Sequence, residues 1–157
     1  MIPTLIGLHA GLGEIGVFAF LWVLVEILEL TESRLARARL AAAMGTVSLF
    51  AAWLTGGYYY VSFYGTGAKT LVKAGPFPWA HSIFTETKEH VFLFLPFLAL
   101  FVAALLYTRR KDLLENSELR KALIFLCAVI ILLGLAMAGM GYLISMAARQ
   151  SLEMKLP

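Results

Sequence analysis

Four apolar stretches fill most of this 157-residue chain, over residues 5–30, 40–60, 90–107 and 122–146. A helix crosses the hydrocarbon of a bilayer with about 20 apolar residues, and each stretch falls within that range. Composition agrees. The chain is 61% hydrophobic and 15% charged, where a soluble domain runs at about 45–50% and 25%. A soluble domain of this length has too little interior to hide so much apolar surface, and disorder requires the opposite composition. The sequence therefore predicts an all-α integral membrane protein, a four-helix up-and-down bundle forming one transmembrane domain over residues 1–157. The spans leave no room for a separate soluble domain, so any chemistry belongs to the bundle or its loops.

Nothing basic precedes the first stretch, which is too long for a signal-peptide core and reads as a retained span. The connections after spans one and three carry Arg34, Arg37, Arg39, Arg109, Arg110, Lys111, Arg120 and Lys121. The other side carries Lys69, Lys73, Lys88, Arg149 and Lys155. Basic residues favour the cytoplasm, so both termini and the second connection are expected on the outer side of a bacterial or archaeal inner membrane. A net charge of +3 gives no case for a nucleic-acid partner. The second connection holds Tyr58, Tyr59, Tyr60, Tyr64, Phe77 and Trp79, rings suited to the headgroup region. Pro78 fits the first turn of the third helix, and Pro96 is expected to kink it. Cys127 lies alone in an apolar run and reads as a buried small residue. The six methionines read as packing.

The halves resemble each other faintly. His9 to Glu14 and His81 to Glu86 both read His-x4-Glu, and Thr55-Gly56-Gly57-Tyr58 resembles Gly139-Met140-Gly141-Tyr142. A duplicated helical hairpin would account for both matches.

All three histidines, His9, His81 and His90, fall at the outer end, together with Glu14, Glu86 and Glu89. Glu14 lies about two turns inside span one, and ionisable groups within a membrane are expensive and usually functional. At about 100° per residue, His9, Gly13, Gly16 and Phe20 share one helix face, as do Glu86, His90, Leu93 and Phe97. If helix three runs unbroken from Pro78, His81 points away from His90. His90 is the deeper, so it is expected to face the interior. His9 and His90 would then meet across the core from diagonal helices. Two imidazoles in that arrangement suit the iron of haem b, with His81 as a substitute ligand. Gly13, Gly57 and Gly141 would give the macrocycle room, and Tyr58 or Tyr142 would bond a propionate. The alternative ligand set is His9, Glu14, Glu86 and His90 around non-haem iron, zinc or copper. The simpler alternative treats His81 and His90 as interfacial and Glu86, Lys88 and Glu89 as a solvated helix start. Glu26 either faces the bundle or pairs with a loop arginine. Hydrolase, zinc-protease and nucleotide-loop motifs are absent from the sequence.

The order of these features resembles a bacterial family of small four-helix membrane proteins of unknown function, some fused to Rieske iron–sulfur domains. The matching pieces are LHAGLGEIGVF, WLTGGYYY, KEHVFLF and GLAMAGMGYLI. The family pattern carries His-Pro and a second His five residues on in helix one, where this chain has Ala10 and Glu14. The resemblance implies a redox setting. The expected role is electron transfer by haem b in the membrane, with metal handling or a cofactor-free accessory subunit as alternatives. Expected partners are lipid and other membrane redox subunits, or further copies of the chain.

Overall fold

The computed structural model describes residues 2–154, and every regular element among them is helical. The long helices are α1 (Ile2–Leu28), α2 (Glu32–Tyr59), α4 (Glu86–Thr108) and α6 (Ser117–Glu153), with short helices α3 (Ala68–Ala74) and α5 (Arg110–Glu115) between them. A π-helical turn, Tyr60–Tyr64, prolongs α2, and a second, Ala80–Thr85, leads into α4. Four segments are long and apolar enough to cross a membrane: Thr4–Leu28, Glu32–Tyr64, Ala80–Thr108 and Ser117–Glu153. The last three exceed their apolar runs because polar helical turns extend them. The basic residues from Arg34 to Arg39 stand on the first turns of α2 rather than in a loop. Thr31 caps that helix by accepting from the Arg34 amide, and Asn116 caps α6 by accepting from Glu118 and Leu119. The helix α4 continues through a buried Pro96. Pro78 precedes the π-helical turn, its carbonyl accepting from the amides of His81 and Ser82.

The long helices pack in the order α1, α2, α4, α6, and α6 returns to α1. Each contributes a buried stripe: Gly16, Phe20, Val23 and Ile27; Ala38, Ala42, Gly45, Leu49 and Ala52; Leu95, Ala99, Val102 and Leu106; Leu123, Cys127, Ile130, Gly134 and Met137. Lipid tails are as apolar as leucine, so helices in a membrane associate through close packing at small residues. Here Phe20 lies over Gly45, Leu49 over Gly16 and Val17 over Gly134, each where a Cβ would collide. Cys127 is buried, as its surroundings in sequence suggest.

One end of the helices carries every arginine but Arg149. Glu26, only 7% exposed, receives both the Nε (2.6 Å) and Nη2 (2.8 Å) of Arg37 and the indole N–H of Trp22 (3.0 Å). Arg34 pairs with Glu29 at 3.2 Å, and Arg110 with Glu32 at 2.7 Å. Arg39 donates to the Leu106 carbonyl, and Arg120 to those of Leu113 and Leu114. These side chains satisfy helix C-terminal carbonyls that the backbone leaves open. The other end carries the three histidines.

Candidate site at the histidine end

Followed toward the histidine end, each buried stripe continues at helical spacing, by four residues on α2 and α6 and by seven on α1 and α4. On α1 that step reaches His9, on α2 Gly56, on α4 Lys88 and on α6 Gly141. The apolar interior thus ends in a layer of two basic side chains and two positions without side chains. The Nδ1–H of half-buried His9 donates to the Ala52 carbonyl at 2.8 Å, and its ring lies on Gly56, where a Cβ would stand 2.6 Å from Cε1. Lys88, half-buried, sends its Nζ to 3.0 Å from the place of a Cβ on Gly141. It is an electrostatic neighbour of His9. The Lys88 ammonium has neither hydrogen bond nor ion pair with any described residue.

A second polar group lies beside this layer, built by the two π-helical turns. Tyr64, His81 and Thr85 are all buried, His81 to 4% exposure. The Tyr64 hydroxyl is 3.0 Å from His81 Nδ1 and 3.0 Å from Thr85 Oγ1, and Thr85 Oγ1 donates to the Ala80 carbonyl at 3.2 Å. A hydroxyl has one proton. With Thr85 donating to Ala80, Tyr64 donates to Thr85, and His81 Nδ1–H donates to Tyr64. The bonds therefore run in one direction, from imidazole to phenol to alcohol to carbonyl. Tyr60 stacks on Tyr64 with ring centroids 5.2 Å apart and lies beside the Glu89 carboxylate. Glu89 Oε1 is buried without a hydrogen bond to any described residue, although the Tyr60 hydroxyl interacts with the carboxylate. The chain between the turns folds over this group. Val72, Ala80 and Ala147 form a small apolar cluster with Phe77 and Ala148, and Gly75 lies so close to Ser151 that a Cβ there would overlap the Ser151 hydroxyl.

The sequence-derived candidates separate on this geometry. His9 faces inward as expected. His90 does not: it is exposed, with Nδ1–H donating to its own helix at the Glu86 carbonyl, 2.7 Å away. The inward stripe of α4 passes through Lys88 and Leu95, and two residues further on from Lys88 the helix has turned about 200°. His81 and His90 differ in burial as their spacing implies, but His81 is the inward one. Glu14 and Glu86 are both exposed. Among the described residues no three His, Cys, Asp or Glu side chains gather as a metal-binding group, so the His9, Glu14, Glu86 and His90 set is not assembled. His9 faces inward and His90 is exposed, so these two imidazoles do not face each other across the core. Gly141 lies at the inner layer, while Gly57 is exposed and Gly13 half-exposed, both with open space where a Cβ would be. The inward member of the glycine pair on α2 is Gly56. Tyr58 and Tyr142 are exposed, at 58% and 70%. Glu26 pairs with a connection arginine, as one of its two readings had it.

Sequence reading missed Gly56, Tyr60, Tyr64, Thr85, Lys88 and Glu89 as site residues. The signal for Lys88 was its spacing of seven and fourteen from the buried Leu95 and Val102. No family model, no curated protein and no solved structure matches the chain.

Proposed function

We propose that this is an integral membrane subunit of a redox chain that handles protons at the outer end of an up-and-down bundle. The resemblance supplies the redox setting, and the excess of arginines at the opposite end supports an outward-facing histidine end. The observation that carries the reading is the buried Glu89 Oε1, which has no hydrogen bond to any described residue. It stands beside Tyr60, which stacks on the Tyr64–His81–Thr85 series. A buried polar atom without a partner is uncommon and calls for a role, and an ionisable group within a membrane marks a functional site by default. π-Helical turns recur at such sites, and two of them build this one. A proton taken up at the other ring nitrogen of His81 can pass as Nδ1–H to Tyr64 and from Tyr64 to Thr85, whose own proton then leaves to a base from outside, because the Ala80 carbonyl only accepts.

Infrared difference spectra of the protein in nanodiscs across a pH step test the reading. The tyrosine and histidine bands are expected to change together, and Tyr64→Phe to uncouple them. Bands that change independently in the wild type would refute the relay. An oxidised-minus-reduced absorption spectrum gives a second test: a Soret band lost in His90→Ala would overturn the reading in favour of haem b.

A further inference from the structure

Lys88 presents a different problem from Glu89, on another face of α4. Lys88 is half-buried where the four interior stripes end, with His9 beside it and no counter-charge among the described residues. A cation held away from water without a partner is strongly unfavourable. A lysine near a helix end can instead extend its head into the interface, but this one reaches across to Gly141 of the neighbouring helix. Space is available beside it. From the Val17–Gly134 contact, α1 and α6 run toward the histidine end through Gly13 and Gly141. Gly13 has nothing within 4 Å of its Cβ position, and Gly141 meets only the Lys88 head. Among the described residues, no side chain fills the Cβ position of Gly13 and the Lys88 head alone meets that of Gly141, so α1 and α6 approach Lys88 and His9 through two positions without side chains.

We propose that Lys88 and His9 form a binding site for a phosphate oxyanion, entered between α1 and α6 past Gly13 and Gly141. Lys88 supplies the charge, and His9 is fixed beside it by its bond to Ala52. The phosphate can come from a phospholipid headgroup at this end of the helices or from free phosphate, because both offer the same oxygens. The site does not use the Tyr64 series, so its failure leaves the proton relay standing, and the reverse also holds.

The full chain, purified in neutral detergent and stripped of lipid, is titrated with dioctanoyl phosphatidylglycerol and, separately, with inorganic phosphate. Thermal unfolding and 31P NMR follow binding. At least one probe is expected to raise Tm saturably and to give a shifted or broadened 31P resonance. Response to the lipid alone assigns the site to a headgroup, and response to inorganic phosphate assigns it to a soluble anion. Lys88→Met is expected to weaken binding at least tenfold, Lys88→Arg to retain it, and Lys73→Met, on the exposed short helix, to leave it unchanged. If Lys88→Met does not fold, the wild-type 31P titration together with Lys88→Arg and Lys73→Met still decides. No saturable response to either probe overturns the proposal, as does equal binding by Lys88→Met or an equal loss in Lys73→Met.

Discussion

Gly56 and Gly57 are neighbours in one helix, and the structure gives them opposite responses to alanine. A methyl group on Gly57 meets nothing within 4 Å, so Gly57→Ala keeps only the helix-forming advantage of alanine, about 0.5–1 kcal/mol. A methyl group on Gly56 would stand 2.6 Å from His9 Cε1 and 3.2 Å from Cγ, well inside van der Waals contact. The ring cannot yield freely, because Nδ1–H is bonded to the Ala52 carbonyl at 2.8 Å. Forcing it aside costs about 1–3 kcal/mol in overpacking and gives up about 0.5–1.5 kcal/mol of hydrogen bonding. After the helix gain, Gly56→Ala is expected to lose about 1–3 kcal/mol. The two variants should then differ by about 2–4 kcal/mol, and each kcal/mol moves Tm by about 2–4 °C in a chain of this size. Reversible unfolding in mixed micelles, followed by far-UV circular dichroism, measures both. Adding His9→Ala should remove most of the Gly56→Ala penalty. The reasoning fails if Gly56→Ala is as stable as Gly57→Ala, or if its penalty persists without the imidazole.

Two further predictions concern the packing and the arginine end. Gly16→Ala puts a methyl group 2.6 Å from Leu49 Cγ and should destabilise the α1–α2 contact by about 1–3 kcal/mol; the same unfolding assay reads it, and Leu49→Ala in the same chain should relieve it. Arg37→Met removes both hydrogen bonds from a buried Glu26 carboxylate and should lower Tm more than Lys111→Met on the exposed surface, whereas Arg37→Met with Glu26→Gln should recover part of the loss.

The spans were legible because crossing a bilayer sets a length that hydropathy reports directly. Their ends were not, since Glu32–Arg39 and Ser117–Lys121 are polar helical turns that look like loops by composition. The interior face was harder to read, for a reason specific to membranes. In water the apolar face of a helix is its buried face, but in lipid both faces are apolar. On α4, Leu93 and Phe97 are 56% and 51% exposed, while Ala99 and Ala103 are buried. Depth along the helix favoured His90 over His81 for the inside, whereas following the small buried residues places Lys88 there. On α1 the inward stripe is itself marked by Gly16, and the His9 ring lies inward on Gly56. His81 and Tyr64 were beyond reach, because their contact depends on two π-helical turns and on a connection that folds back onto α6. Local spacing does not encode that return.

The two ends of the molecule treat their charges differently, and the difference locates the site. At the arginine end, Glu26 has three donors and Arg39 and Arg120 hold backbone carbonyls, as a structural role requires. Among the described residues, the buried side-chain oxygens without hydrogen bonds are those of Thr46 and Glu89. Thr46 is neutral and sits within the long α2 helix, where one unpaired hydroxyl costs about 1–3 kcal/mol. Glu89 and the unpaired Lys88 are ionisable, adjacent in sequence and turned about 100° apart on α4, too divergent to neutralise each other. Packing the four stripes one layer further with apolar residues would have been simpler at both positions. A chain that gives Glu26 three donors at one end, and at the other leaves the Lys88 ammonium and one Glu89 oxygen without hydrogen bonds to described residues, is arranged at that second end as the proposed proton and oxyanion sites require.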